Sequence, residues 1–313
     1  MFAAIKAIEY YLPEKMLTNE QLALDFPGWT AEKIKEKTGI VSRYIADQNE
    51  TAVDLAYYAA QKLFTTNACQ ASTIDFLLLC TQSPSYVLPT TACILQDRLG
   101  LPTTCGALDF NLGCSGYIYG LSLAKGLIES GQVKNVLLVT AETYSKYIQL
   151  KDRTTRTIFG DGAAATLISG QNSSSPFIAP VVLGTDGKGA GNLIVRDHIL
   201  FMNGPEIFTF TLQCIPHMVA QLLFTANKQM NDIDLFVFHQ ANKYMLDHLR
   251  NKINIPQEKF YIYLEKVGNT VSATIPIALY HALAEGKIRS GNLVMLVGFG
   301  VGYSWGGAIV EIA

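Results

Sequence analysis

The sequence has few charges and lacks the features that mark several classes of protein. Only 16% of its 313 residues are Asp, Glu, Lys or Arg, and its formal net charge is -2. This balance gives no general attraction to nucleic acid or to an anionic membrane. The N-terminal stretch has no basic region followed by an apolar core, and no apolar run approaches bilayer-spanning length. We therefore predict a cytoplasmic protein with no nucleic-acid partner and no membrane insertion.

The cysteines also lack the spacing of metal or redox sites. There is no C-x-x-C pair among them, and they stand at positions 69, 80, 93, 105, 114 and 214. Reduced thiols in a cytosolic protein are the simplest account, and no metal site is predicted. Hydrophobic residues make up 49% of the chain, which indicates a folded protein with a large buried fraction. Its length suits one large domain or two ordinary ones.

The stretch from residue 107 to residue 128 places a cysteine where a strand turns into a buried helix. Its sequence is ALDFNLGCSGYIYGLSLAKGLI, in which Gly113 and Gly116 bracket Cys114. Apolar residues recur at helical spacing after this turn. The free N–H groups and the dipole at a helix N-terminus favour a thiolate, which is the nucleophilic form. The alternative is a packing role, since free cysteine is among the most buried residue types.

Two segments of the first half recur in the second half. TIDFLLLC at 73–80 resembles DIDLFVFH at 232–239, and GLIESGQVKNVLLV at 126–139 resembles GKIRSGNLVMLV at 286–297. Such matches at one offset predict an internal duplication, with the two central helices buried between two sheets. The Gly/Ser-rich stretch 170–175 is the predicted boundary. It divides the chain into halves of residues 1–170 and 171–313.

Two polar residues in the second half are candidates to serve Cys114. His239 follows an apolar strand at the position equivalent to Cys80, and sites on such sheets gather at the carboxyl ends of strands. Asn269 lies within five residues of the position equivalent to Cys114. The ordinary alternatives are a structural histidine and a helix-capping asparagine. Pseudo-symmetry would bring all three side chains to one region between the halves.

Cysteine, histidine and asparagine occur together in cysteine hydrolases and in acyl-transfer enzymes. A glycine-rich stretch at 298–307, GFGVGYSWGG, would let backbone N–H groups approach a ligand and hold an oxyanion. The residues alone leave hydrolysis and acyl transfer both open.

Several short motifs run in order along nearly the whole chain. They are KTGIVSRY at 37–44, GCSGY at 113–117, DR at 152–153, FGDGAAA at 159–165, HQAN at 239–242, GNT at 268–270 and FGVGYSWG at 299–306. This set resembles the β-ketoacyl-acyl carrier protein synthase III family of thiolase-like condensing enzymes. The resemblance implies an α/β thiolase-like fold with αβαβα layers, a homodimer, and an acyltransferase that needs no metal or redox cofactor.

The resemblance also implies roles for the candidate residues. Cys114 would take an acyl group from a thioester primer, carried by coenzyme A or by acyl carrier protein. His239 and Asn269 would bind the thioester carbonyl of malonyl-acyl carrier protein and stabilise the enolate left by decarboxylation. The N–H groups of Cys114 and Val301 would hold the oxyanion formed when this enolate attacks. The reaction would initiate the synthesis of a fatty acid or a related acyl chain.

Two departures from the family pattern concern the acyl group. Val301 interrupts the glycine run that follows the phenylalanine of FGVGYSWG. Leu88 stands where many relatives place a phenylalanine that reaches into the acyl pocket of the partner subunit. The resemblance therefore implies a differently shaped primer pocket.

Other expected contacts concern the donor and the carrier protein. Lys33 takes the place of an adenine-stacking tryptophan, for which Trp29 four residues upstream is a substitute, while Arg153 is retained. Tyr244 replaces an arginine that serves the carrier or coenzyme A. We also assign substrate or carrier contacts to Asn242 of the HQAN motif, and to two basic residues that share a helix face, Lys243 and Arg250. A solvated helix face is the alternative for those two residues.

Three other functions remain open alternatives. The first is a condensing enzyme of a specialised pathway, for a secondary metabolite or a surface polysaccharide. The second is a non-catalytic partner subunit, against which the intact Cys114, His239 and Asn269 argue. The third is a thioesterase-like hydrolase that uses the same three residues. The sequence predicts neither the length of the primer nor its donor.

Overall fold

Strands and helices alternate along the chain, and a computed structural model describes residues 1–313. The strands are β1 (Phe2–Tyr11), β2 (Met16–Thr18), β3 (Ser42–Tyr44), β4 (Phe76–Cys80), β5 (Gly106–Phe110), β6 (Asn135–Glu142), β7 (Gly162–Gln171), β8 (Ile178–Thr185), β9 (Leu193–Arg196), β10 (Ile199–Met202), β11 (Leu235–Phe238), β12 (Phe260–Tyr261), β13 (Leu293–Gly300) and β14 (Ser304–Glu311). The α-helices are α1 (Asn19–Asp25), α2 (Ala31–Thr38), α3 (Ala52–Thr65), α4 (Thr91–Arg98), α5 (Gly116–Glu129), α6 (Arg153–Arg156), α7 (Gly204–Ala226), α8 (Lys243–Ile253) and α9 (Thr274–Ala284).

Local capping residues set several helix ends. The Thr51 hydroxyl accepts the N–H of Asp54, and the Asp54 carboxylate accepts the N–H of Thr51, which together form a capping box at the start of α3. Helix α2 ends at Gly39, whose φ of 74° is the left-handed conformation that glycine adopts without strain. These ends follow from the sequence itself.

Two five-stranded sheets have the same strand order. The first runs β1-β7-β6-β4-β5 and the second runs β8-β14-β13-β11-β12. The directions match as well, because β4 pairs in parallel with β5 and β6 while β11 pairs in parallel with β12 and β13. The remaining neighbours in each sheet are antiparallel. The two sheets are therefore two copies of one topology.

The sheets and helices stack in five layers. Helices α3 and α4 cover the outer face of the first sheet, α5 and α9 lie between the sheets, and α7 and α8 cover the second sheet. Strand β4 shows the consequence within one segment. Its Leu77 and Leu79 pack into the outer core, and Leu78 packs into the central one. The continuous apolar run IDFLLLC thus reflects a strand covered on both faces.

Equivalent residues in the two halves make equivalent contacts. Before β4, the Asp75 carboxylate accepts the N–H of Asn135 at 2.9 Å. Before β11, the Asp234 carboxylate accepts the N–H of Leu293 at 2.8 Å. The expected αβαβα order is present, with one central helix from each copy of the repeat. The division at residue 170 stays a prediction, and β7 itself runs to Gln171.

Helix α7 corrects one expectation from the sequence. It has 23 residues and is apolar enough to cross a membrane by length and composition, although core helices of soluble proteins pass the same test. It is not a membrane span, because a stripe of buried residues packs it on the second sheet. The stripe comprises Ile207, Thr211, Ile215, Met218, Val219 and Leu222. Its apolar character thus serves packing.

Two leucines of helix α5 differ in burial, and their substitution should differ in its effect on stability. Leu121 of α5 is fully buried between the sheets, whereas Leu123 is 45% exposed. We expect Leu121→Ala to lower the free energy of unfolding by about 2–5 kcal/mol, because it leaves a cavity. Leu123→Ala should change it by about 0.5 kcal/mol or less. Urea denaturation followed by circular dichroism measures both. Equal losses of unfolding free energy in the two variants would contradict the burial of Leu121 between the sheets.

Candidate active site

Cys114 lies in the turn between β5 and α5, inside the layer where the two sheets meet. The turn closes through the Gly116 N–H, which donates to the Gly113 carbonyl at 2.8 Å. A side chain at Gly116 would collide with the Cys80 thiol, and one at Gly300 would lie 2.9 Å from the Cys114 Cβ. Cys114 is 4% exposed and, like the other cysteines, is a free thiol. Close backbone approach therefore requires the glycines on both sides.

Burial keeps the Cys114 thiol protonated. Desolvation first, and then the negative charge of Glu142, raise the pKa of this thiol to about 12. The N–H groups of Cys114 and Val301 near the sulfur lower the pKa, but by less. The backbone N–H groups thus favour the thiolate in the direction that the sequence predicts, but the loss of water outweighs them. Reaction at this sulfur requires a base.

His239 follows β11, lines the same cavity as Cys114 and is 2% exposed. Its Nδ1 lies 2.7 Å from the Thr274 hydroxyl, and that hydroxyl donates to the Val271 carbonyl at 3.0 Å. Since a hydroxyl has one hydrogen, Thr274 must accept from His239 Nδ1–H. Burial also lowers the pKa of His239 to about 3, so the ring is neutral. Its Nε2 is therefore an unprotonated acceptor.

The contacts of Asn269 independently indicate that Nε2 of His239 carries no proton. Its Oδ1 accepts the Val271 N–H at 2.9 Å, which turns its Nδ2 toward the Ala241 carbonyl at 3.3 Å and His239 Nε2 at 3.4 Å. An amide N–H faces Nε2 only if Nε2 lacks a proton. Asn269 does not cap α9, whose N-cap is Ala273.

A strained residue orients both partners. Val271 has a φ of 55°, which is rare for a β-branched side chain. In this conformation its N–H points to Asn269 and its carbonyl to Thr274. Such strain persists where surrounding contacts fix the backbone, and it gathers at functional sites.

The first half holds Asn269 in place through its backbone. The Asn269 N–H donates to the Ile158 carbonyl and its carbonyl accepts the Gly160 N–H, both at 3.0 Å. Below this bridge, the fully buried Arg43 donates to the Thr157 carbonyl at 2.9 Å. A Cβ at Gly160 would lie 2.9 Å from the Val267 carbonyl, so this glycine of FGDGAAA permits another backbone to pass close by.

Glu142 is a buried carboxyl group at the site that sequence reasoning missed. It accepts the Ser272 hydroxyl at 2.8 Å, the Ser83 hydroxyl at 3.2 Å and the Gln82 N–H at 3.0 Å. Burial raises its pKa to about 8. The signal that identified His239 was also present for Glu142, since both are polar residues at the end of an apolar strand.

One cavity of about 360 Å³ gives access to three of the predicted side chains. Cys114, His239 and Asn269 line its buried end, and Asn242 and the 55% exposed Tyr244 line its outer part. Most other lining residues are apolar, among them Ile158, Phe159, Leu193, Met202, Ile207 and Phe208. The structure thus brings five of the predicted residues to one cavity.

Three further predicted residues form a cluster beside the cavity. The Arg153 guanidinium lies 4.3 Å from the centre of the Trp29 ring, and the Lys33 ammonium lies 5.2 Å from it. Thr154, the neighbour of Arg153, lines the cavity. This cluster is therefore near the cavity but does not line it.

The structure places other predicted residues outside the cavity. Lys243 forms an ion pair with Asp247 at 2.5 Å and lines a separate polar groove together with Arg250. Leu88 is 80% exposed on the loop that precedes α4. Within one chain, none of these residues reaches the catalytic groups.

Comparisons with known proteins identify the family. Residues 108–187 match the family described as 3-oxoacyl-[acyl-carrier-protein (ACP)] synthase III, and residues 223–312 match its C-terminal part. A β-ketoacyl-[acyl-carrier-protein] synthase III of Clostridium perfringens is 36% identical, covering 96% of this chain and 97% of that protein. A synthase III of Bacillus anthracis is 36% identical, covering 98% and 97%. The chain belongs to the β-ketoacyl-[acyl-carrier-protein] synthase III family.

Solved structures of synthase III confirm the thiolase-like fold. One 3-oxoacyl-(acyl-carrier-protein) synthase III superposes with a TM-score of 0.98 at 50% identity, covering 100% of both chains. The Thermus thermophilus synthase III gives 0.93 at 34% identity, covering 99% of both. The chain is thus a condensing acyltransferase of the type that initiates fatty acid synthesis. A specialised-pathway enzyme and a non-catalytic partner subunit are not favoured.

The raised pKa of Cys114 predicts how its alkylation depends on pH. Because only the thiolate reacts, the rate with iodoacetamide should rise about 10-fold per pH unit between about pH 7 and about pH 10. Peptide mass spectrometry measures modification of Cys114, with Cys114→Ala as the background. A rate that levels off near the ordinary thiol pKa of about 8.5 would show that burial does not govern this thiol.

Thr274 should fix the protonated nitrogen of His239. Nitrogen NMR of histidine-labelled protein should show the proton on Nδ1, with the His239 signals assigned by comparison with His239→Ala. Thr274→Val removes the acceptor and should move the proton toward Nε2, whereas Thr274→Ser should keep the wild-type spectrum. An unchanged spectrum in Thr274→Val would show that the Asn269 contact alone fixes the proton, and a wild-type proton on Nε2 would contradict the assignment.

Proposed function

We propose that Cys114 carries the acyl primer, and that His239 and Asn269 promote its condensation with malonyl-acyl carrier protein. The observation that carries this proposal is that all three side chains line the buried end of one apolar cavity. A largely apolar lining suits condensation, because water would otherwise hydrolyse the acyl-cysteine. The product would be a β-ketoacyl thioester on the carrier protein.

In the first step, the proton of the Cys114 thiol passes to His239 Nε2. The thiolate attacks the thioester carbonyl, and the N–H groups of Cys114 and Val301 hold the oxyanion. The C–S bond of the donor then breaks, and the leaving thiolate takes the proton back from His239. The ring returns to its neutral form with Nε2 unprotonated.

In the second step, the Asn269 N–H that faces His239 Nε2 turns to donate to the thioester carbonyl of the malonyl group. His239, with Nε2 unprotonated, does not donate to this oxygen, which departs from the shared role that the family resemblance implies. Loss of carbon dioxide places the negative charge on this oxygen as an enolate, whose carbon attacks the Cys114 acyl group. The step consumes one proton overall, because a carboxylate leaves as carbon dioxide and Cys114 returns as a thiol. His239 supplies this proton after taking one from solvent. No metal or redox cofactor enters the scheme.

We also assign carrier and donor contacts. Lys243 and Arg250 line one groove on α8, where they suit an acidic carrier protein. Tyr244 and Asn242, at the outer part of the cavity, would contact the arm that delivers the thioester. The cluster of Trp29, Lys33 and Arg153 would meet the more distant part of the donor.

A second copy of the chain is the proposed partner at β5. This strand is an edge of the first sheet and carries Leu108, which is 38% exposed. The nearby loop exposes Tyr86, Val87 and Leu88. Pairing of two β5 edges would satisfy their free backbone groups and cover these side chains. The cytoplasm is the proposed location of this homodimer.

Substitutions at the catalytic residues should separate the two steps. Cys114→Ala should abolish acyl transfer, whereas Cys93→Ala, at an exposed cysteine of α4, should retain it. His239→Ala should slow condensation by more than about 100-fold. It should slow acylation less, and acylation should recover as the pH rises, because the thiol then ionises without a base.

Intact-protein mass spectrometry and release of carbon dioxide from malonyl-acyl carrier protein measure the two steps. Equal loss of both steps in His239→Ala at every pH would contradict this division of roles. Release of free acid from acyl thioesters without condensation would instead identify a hydrolase.

A further inference from the structure

The proposed reaction requires room for an acyl group on the far side of Cys114. Both thioesters must reach the sulfur, and His239 and Asn269 line the same cavity through which they would enter. The acyl chain of the first substrate must leave this cavity free for the second. Gly113, the residue before Cys114, does not line this cavity, so the acyl chain would lie on its side of the sulfur.

Three hydrogen-bonded side chains lie on that side. The Tyr144 hydroxyl donates to Gln82 Oε1 at 2.5 Å, and Gln82 Nε2 donates to Asn111 Oδ1 at 2.9 Å. The backbone of Gln82 is held as well, since its N–H donates to Glu142 at 3.0 Å. Tyr144 is 3% exposed and packs against Phe159, with ring centres 5.3 Å apart. Neither end of the Gln82 carboxamide is free.

This barrier stands directly beside the nucleophile. A Cβ added to Gly113, the residue before Cys114, would lie 2.5 Å from Gln82 Oε1 and 2.9 Å from Val301 Cγ1. None of Gln82, Tyr144, Asn111 and Val301 lines the entrance cavity. A long alkyl chain on Cys114 would therefore have to displace Gln82 from its part-buried hydrogen bond with Tyr144 and its exposed one with Asn111, and lie against the polar atoms of the amide, which is unfavourable.

We infer that Gln82, Tyr144 and Val301 form a barrier that restricts the primer on Cys114 to a short acyl group such as acetyl. The inference rests on the proposed function and names the residues that set its substrate. The polar carboxamide sits where a longer alkyl tail would run, and its two hydrogen bonds keep it there.

The test compares acyl donors of increasing chain length that share one small carrier. Acetyl, butyryl, hexanoyl and octanoyl thioesters of N-acetylcysteamine are incubated with the full-length protein, and the Cys114 adduct is followed by intact-protein mass spectrometry. We expect acetyl to be transferred about 100-fold faster than octanoyl, since even one methylene that does not fit costs about 10-fold or more. Tyr144→Leu and Gln82→Ala should each raise the octanoyl-to-acetyl ratio about 10-fold.

Two controls make the outcomes distinct. Tyr144→Phe keeps the ring but frees the amide, so its ratio should lie between those of the wild type and Tyr144→Leu. Tyr58→Leu makes the same change at a partly exposed tyrosine of α3 and should leave the ratio unchanged. If the wild type accepts octanoyl as fast as acetyl, the inference is overturned while the proposed function stands. If no donor forms an adduct at Cys114, both are overturned.

Discussion

The backbone bridge between Asn269 and the segment Ile158–Gly160 is the contact on which the catalytic centre depends. It joins a turn of the second half to a turn of the first, and it places the Asn269 side chain against His239. Arg43 supports it from below, and Gly160 and Gly268 allow the approach, since a side chain at either would meet the neighbouring backbone. The αβαβα layers bring the two turns together, but this bridge sets the distance between them.

Burial gives the site its chemical character. Desolvation raises the pKa values of Cys114 and Glu142 and lowers that of His239, so each shift favours the neutral form. These three side chains of the catalytic centre are therefore neutral at rest. Charge arises only when the Cys114 thiol proton moves to the His239 imidazole. Fixed N–H groups then meet the oxyanion without reorganisation, which is how a buried site lowers a barrier.

Much of this could be predicted from the sequence. The repeat at one offset predicted two equivalent halves, and strand ends in those halves identified Cys114 and His239. The family motifs predicted the fold and the reaction class. The pKa of Cys114 could not be predicted in this way, because local turn chemistry favours a thiolate and only the packed sheets reveal the opposing desolvation. The partners of Gln82 and Thr274 were equally hidden, since each hydrogen bond joins segments that the sequence does not relate.

The protonated state of Cys114 also bears on the survival of the enzyme between reactions. Peroxides oxidise thiolates far faster than thiols, and they reach exposed sulfur more readily than buried sulfur. A sulfur that is 4% exposed and ionises only near pH 12 escapes both risks, whereas Cys93 lies open on α4. Under oxidative stress, exposed cysteines of this protein should therefore be oxidised before Cys114 is, and before activity is lost.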